Sequence, residues 1–171
     1  MLKNFERRFL AVNRWLLIVT LAVMSVIIFA NVVLRYTTNQ SIEWADEVSR
    51  HLMIWSTFVG CGPTLRYGGH IAVENLQDAL SPRAAVALRA VIALLLAGFF
   101  AFFIWFGIEY LDRTQYQITP ATQISVAFIY AALPVGMLMT LIHWLLIVKR
   151  YVLLREFASD GHFDATASAS L

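Results

Sequence analysis

The distribution of charge constrains this chain more than any other feature. Four stretches contain no Asp, Glu, Lys or Arg: Trp15 to Leu34, His51 to Leu65, Ala90 to Ile108 and Ile124 to Val148. They are 20, 15, 19 and 25 residues long. All 13 basic and 11 acidic residues fall between or beyond them. A soluble helical bundle interleaves its charges at helical period, because each helix has one wet face. Blocks free of charge on every face belong in lipid. A membrane-crossing helix needs roughly 20 apolar residues to cover ~30 Å of hydrocarbon. Three of the stretches meet that length. The second is shorter, but the arginines that bound it, Arg50 and Arg66, can extend to the interfaces. The expected fold is an all-α integral membrane protein with four transmembrane helices.

Charged residues are 14% of the chain, against roughly 25% in an ordinary soluble domain. That excludes disorder and a typical soluble enzyme. Cys61 is the single cysteine, so no intramolecular disulfide forms, and no metal-ligand spacing of Cys and His occurs. The net charge of +2 gives no reason to expect nucleic acid.

Residues 1–14 form a separate unit in this reading. Leu2, Phe5, Phe9 and Val12 recur at three- and four-residue spacing, with Lys3, Arg7 and Arg8 on other faces. That pattern suits a short amphipathic helix lying in the interface. Residues 15–150 are the four-helix transmembrane domain, and 151–171 a polar cytoplasmic tail. The first apolar core is longer than the 7–15 residues of a cleavable signal peptide, so it is expected to stay as a span. Lys and Arg mark the cytoplasmic side. With both termini inside, ten basic residues lie inside and three outside. The expected location is a bacterial inner membrane, with N- and C-termini cytoplasmic. Ser81-Pro82 and Thr119-Pro120 each place a capping residue before a proline suited to the first helical turn. Pro63 and Pro134 each remove a helical hydrogen bond and are expected to kink the second and fourth spans.

None of the eleven carboxylates lies within a charge-free stretch. Carriers that couple transport to cations commonly hold an acid there. This chain therefore lacks the means to run ion-coupled transport by itself. His51 and His143 fall near opposite ends of their spans and cannot serve one haem iron as axial ligands. No nucleophile–base arrangement is visible. The expectation is a non-enzyme with no cofactor. A redox-complex membrane anchor and a stand-alone small exporter are the alternatives.

Polar residues gather at the span edges. From Ser41 to His51 a helix would bring Asp46 near Arg50, and Glu47 near Arg50 and His51. Trp44, Glu47, His51 and Trp55 would share one face. Asn31 and Arg35 lie four apart at the outer end of the first span, with Arg35 in reach of those acids. Such a cluster either anchors the helices in the interface or clamps the first two spans together. A second cluster, Arg66 to Glu74, contains Gly68-Gly69-His70 and suits a re-entry turn. Small residues form contact stripes, Ala93/Ala97/Ala101 and Ala132/Gly136/Thr140. The third span carries Phe99, Phe100, Phe102, Phe103, Trp105 and Phe106, more aromatic surface than a four-helix bundle can bury. It faces lipid or a larger partner.

The ordered text Asn31-Val32-Val33-Leu34-Arg35-Tyr36, then Ser41, Trp44, Glu47, Arg50, Trp55 and Gly60, then Gly69-His70-Ile71 and Val73, resembles one family. With Leu133-Pro134-Val135-Gly136 it is similar to the small membrane subunit, of DctQ type, of tripartite ATP-independent periplasmic (TRAP) transporters. The resemblance implies a large multi-span permease subunit as partner. It also implies a periplasmic substrate-binding protein that delivers an organic anion, a carboxylate or sugar acid. Uptake would be a symport driven by an ion gradient, with the small subunit as scaffold in a heteromeric complex. Under that resemblance Arg35, Trp44, Glu47 and Arg50 organise the outer face, Trp55 lies on the same helix, and His70 holds the inner turn.

Overall fold

In the computed structural model, residues 2–68 and 79–154 are described, with side chains from residue 4 onward. His70 and the residues beyond 154 lie outside the described residues, as do the inner turn and polar tail read from the sequence. Among the described residues five helices follow one another: α1 (Leu2–Thr38), α2 (Ala45–Arg66), α3 (Pro82–Thr114), α4 (Val126–Tyr130) and α5 (Ala132–Leu154). Among the described residues the only extended pairing is an isolated antiparallel bridge between Ile118 and Ser125.

Among the described residues three helical segments are long and apolar enough to cross a membrane: Asn4–Thr38, Pro82–Thr114 and Val126–Leu154. α2 has 22 residues and would cover about 33 Å, but Asp46, Glu47, Arg50 and Arg66 leave it less apolar than the others.

The expected break between an interfacial helix and the first span does not occur. α1 runs without interruption through 37 residues. Its start carries neither glycine nor proline, and Glu6, Phe9 and Asn13 all find partners in the bundle, which hold that segment in line. α1 ends where Asn39 takes a left-handed backbone conformation (φ 55), a stop that asparagine tolerates.

Ser81 and Pro82 open α3 as expected, with the Ser81 carbonyl accepting from Ala85 N–H at 2.9 Å. The second expected cap is corrected. Thr119-Pro120 lies in the α3–α4 loop, and Ser125 caps α4, its Oγ accepting from Ala127 N–H at 3.3 Å. The loop closes on itself through Thr119 N–H to Ile124 O (2.9 Å) and Val126 N–H to Gln117 O (2.8 Å), so a helix cannot begin inside it. Pro134 has the expected effect. It cannot donate to the Tyr130 carbonyl, and the helix is interrupted at Ala131. α2 continues through Pro63 to Arg66 without an interruption.

α5 is the central element. It packs against α2 on one side and α3 on the other, while α1 lies against α2. The core sits toward the C-terminal end of α5, where Leu65, Ala93, Phe100, Trp144, Ile147 and Tyr151 meet. The Trp144 indole N–H donates to the Ala93 carbonyl at 3.2 Å, and Arg89 Nε donates to the Val152 carbonyl at 2.9 Å. The Ala132/Gly136/Thr140 stripe is fully buried, and Gly136 lies directly against the Phe58 backbone. Small residues allow that approach in lipid, where packing rather than hydrophobic exclusion holds helices together. The faces of α1 and α3 turned away from the bundle remain exposed, including Phe29, Phe99, Phe102, Trp105 and Phe106.

Candidate functional site

The cluster at the start of α2 is built by Glu47. Its carboxylate accepts from Ala121 N–H at 2.9 Å, from Thr122 N–H at 3.0 Å and from the Thr122 hydroxyl. These donors belong to the α3–α4 loop, 74 residues away in sequence. Thr119 Oγ1 and Thr122 Oγ1 share a further hydrogen bond of 2.8 Å, which braces the loop. Glu47 thus ties the first turn of α2 to the loop that precedes the last span.

The second tie comes from α1. The Asn31 carbonyl oxygen accepts from Ile42 N–H at 2.7 Å, and its amide donates to Asp46 at 3.4 Å. The α1–α2 connection is therefore closed by one asparagine side chain. Together Asn31 and Glu47 join the last turns of α1, the start of α2 and the loop before α4.

The hydrogen bonds favour the charged form of Glu47, which lies before the charge-free part of α2. The Thr122 hydroxyl contributes most, with the backbone N–H groups of Ala121 and Thr122 adding to it. They hold the pKa down at about 2, from an ordinary 4.5. A carboxyl group with a depressed pKa stabilises the fold above its ordinary value and loses that contribution as pH falls toward the folded value. Thermal unfolding in detergent is expected to show a gap between wild type and Glu47→Gln that is constant above about pH 5 and closes between 4.5 and about 2. A gap that persists unchanged to the acid end would refute the clasp.

The geometry rearranges several sequence expectations. Arg35 does not reach the acids; its guanidinium lies 5.6 Å from the centre of the Tyr36 ring, and Asn31 takes the role instead. Arg35 lies one helical turn, about 6 Å, further along α1 than Asn31. The ion pairs expected of Glu47 with Arg50 or His51, and of Asp46 with Arg50, are absent among the described residues, because the loop amides occupy Glu47. Arg50 is exposed and lines a cleft of about 300 Å³ with Glu43, Asp46, Glu47, His51 and Pro120. Trp44 precedes α2 as its N-cap residue, its carbonyl accepting from Val48 N–H at 3.0 Å. Trp55 stacks obliquely on Phe128 with ring centres 5.8 Å apart.

A second polar site lies at the opposite end, and the sequence did not single it out. Asn13 and His143 are both wholly buried, and the Asn13 amide donates to His143 Nε2 at 3.0 Å. Phe9 covers the imidazole at 4.6 Å between ring centres. The ring lies over Gly62, where an added Cβ would come within 2.4 Å of it. Beside it the buried Arg66 pairs with Glu6. The signal available in sequence was Gly62 in a helix next to Pro63, a place kept clear for a neighbour. Nothing in spacing named His143 as that neighbour.

Among the described residues no group of three or more His, Cys, Asp or Glu is placed to hold a metal. Both polar sites are inter-helix fastenings, made between groups of this one chain. This defines a helical membrane subunit organised by fixed joints. A family model for the DctQ component of tripartite ATP-independent periplasmic transporters matches residues 24–154. The chain belongs to that family and is a small permease subunit of a TRAP transporter. It is similar to the ectoine TRAP transporter small permease protein TeaB of Halomonas elongata, with 33% identity covering 79% of this chain and 74% of that protein. It is also similar to two putative TRAP transporter small permease proteins of Haemophilus influenzae. One is 31% identical over 69% of this chain and 72% of its own length. The other is 39% identical over 40% and 43% respectively. The family is one of transporter membrane subunits, not of enzymes.

Proposed function

We propose that this chain is the scaffold of its transporter, a rigid membrane element against which a large permease subunit works. The observation that carries this reading is the Glu47 clasp, which fastens the outer ends of the helices in one arrangement. The absence of any acid from the charge-free stretches supports it, since ion and substrate handling then belong to the companion subunit. The exposed aromatic face of α3 gives such a companion a surface. In this reading α2 is a fourth span, with Arg50 and Arg66 reaching the two interfaces. Both termini are cytoplasmic in the bacterial inner membrane, as the Lys and Arg distribution indicates. The remaining partner is a periplasmic binding protein. The cargo is an organic anion, a carboxylate or sugar acid, taken up by symport with an ion.

Reconstitution tests this. Liposomes holding this chain alone are expected to take up no solute above background, and liposomes holding both permease subunits to take it up. Glu47→Gln and Arg50→Ala are expected to cut subunit co-purification or uptake by roughly half or more, the first because loss of the clasp lets α2 and the loop part, the second because Arg50 is an exposed side chain of the cleft beside the clasp, where a companion subunit can meet it. Normal assembly and uptake in both variants would remove the scaffold role from this cluster.

A further inference from the structure

We propose that the first part of α1 is a binding site for an anionic phospholipid. The proposal does not depend on the transporter reading. Glu6, Phe9 and Asn13 form the face of α1 that meets the bundle. The opposite face carries Arg8, Ala11, Val12, Trp15 and Val19, at positions i, i+3, i+4, i+7 and i+11. Ala11, Val12, Trp15, Leu16 and Val19 line a shallow groove of about 350 Å³. Trp15 is 59% exposed and Val12 57%. Helical spacing puts Arg8 one turn before Ala11 and Val12 on this face, and Arg7 and Arg14 on the adjacent face, each one turn from Ala11; all three are exposed.

The charge arithmetic identifies the occupant. Glu6 is the only acid in α1, and it is taken by Arg66. Arg7, Arg8 and Arg14 make no ion pair among the described residues. Three such guanidiniums beside an apolar groove match a molecule with an anionic head and a hydrocarbon tail. Guanidinium groups pair with phosphate oxygens in bidentate fashion. The Trp15 ring has one polar edge and an apolar body, which suits the depth between headgroup and acyl chain. The continuity of α1 is what makes this a built site: a helix lying free in the interface would turn its apolar face into lipid and lose the fixed bundle contact.

The test uses the full chain purified in a zwitterionic detergent and titrated with phosphatidylglycerol or phosphatidylcholine, with retained lipid counted by native mass spectrometry. Each basic residue near an anionic bilayer surface contributes about fivefold in partitioning. Wild type is expected to retain phosphatidylglycerol at least tenfold better than phosphatidylcholine, with the preference fading as salt rises. The R7Q/R8Q/R14Q variant is expected to lose the preference, and R7K/R8K/R14K to keep most of it. These side chains are exposed, so the packed face is untouched; circular dichroism checks that each variant is folded. Soluble glycerol phosphate in excess is expected not to displace the lipid. Equal retention of the two lipids by wild type, an undiminished preference in R7Q/R8Q/R14Q, or displacement by glycerol phosphate alone would each overturn the proposal.

Discussion

Gly136→Ala is expected to lower stability by about 3 kcal/mol, at the upper end of what overpacking costs. An added Cβ would lie 2.5 Å from the Phe58 Cβ and 2.7 Å from its backbone carbon and oxygen. A side-chain tip can rotate away from such a clash. The backbone of α2 cannot, so α2 and α5 must move apart. That separation would loosen contacts along the most extensive helix interface in the molecule. Gly98 is the control, because nothing lies within 4 Å of the place a Cβ would take there, and Gly98→Ala removes a helix-interior glycine. Thermal unfolding in detergent should show Gly136→Ala far below wild type and Gly98→Ala at or above it. Equal midpoints for the two variants would show that α2 and α5 are not in this close register.

The second large effect concerns Glu6. Arg66 is 5% exposed at its side chain, whereas Glu6 is 28% exposed. Glu6→Leu removes one carboxylate partner of the buried Arg66, and losing a hydrogen bond to a charged group costs about 1.5–3 kcal/mol. The partial exposure of Glu6 puts this case near the lower bound. Replacing both charges tests the cause. In a double-mutant cycle of E6L, R66M and E6L/R66M, the two single losses are expected to sum to more than the double loss. Strictly additive losses would show that Glu6 and Arg66 do not act as a pair.

Both effects depend on contacts between residues far apart in sequence, and that is where reading the chain met its limit. The helices themselves were legible. Lipid demands that each spanning segment satisfy its own backbone, so a charge-free run of sufficient length already implies a helix. Local stops were legible where one residue type decides them, as at Ser81-Pro82 and at Pro134. Thr119-Pro120 misled because a cap motif says nothing about whether a loop folds back first. Glu47 was recognisable as part of a dense polar run, but its helical neighbours Arg50 and His51 looked like its partners. The loop amides displaced them, because two N–H groups and a hydroxyl converging on one carboxylate satisfy it better than an exposed side chain held in water.

The periodic features of the chain, namely the apolar runs, the basic flanks and the small-residue stripe of the last span, are local, and sequence by itself determined them along with the family. Partner choice is not periodic. Asn13 meeting His143 over Gly62, Asn31 closing the α1–α2 connection and Glu47 closing on Thr122 arise only once the helices have a relative register. Tertiary structure decided those, because a buried polar atom takes whichever donor or acceptor the packed backbones bring within about 3 Å, whatever its distance along the chain.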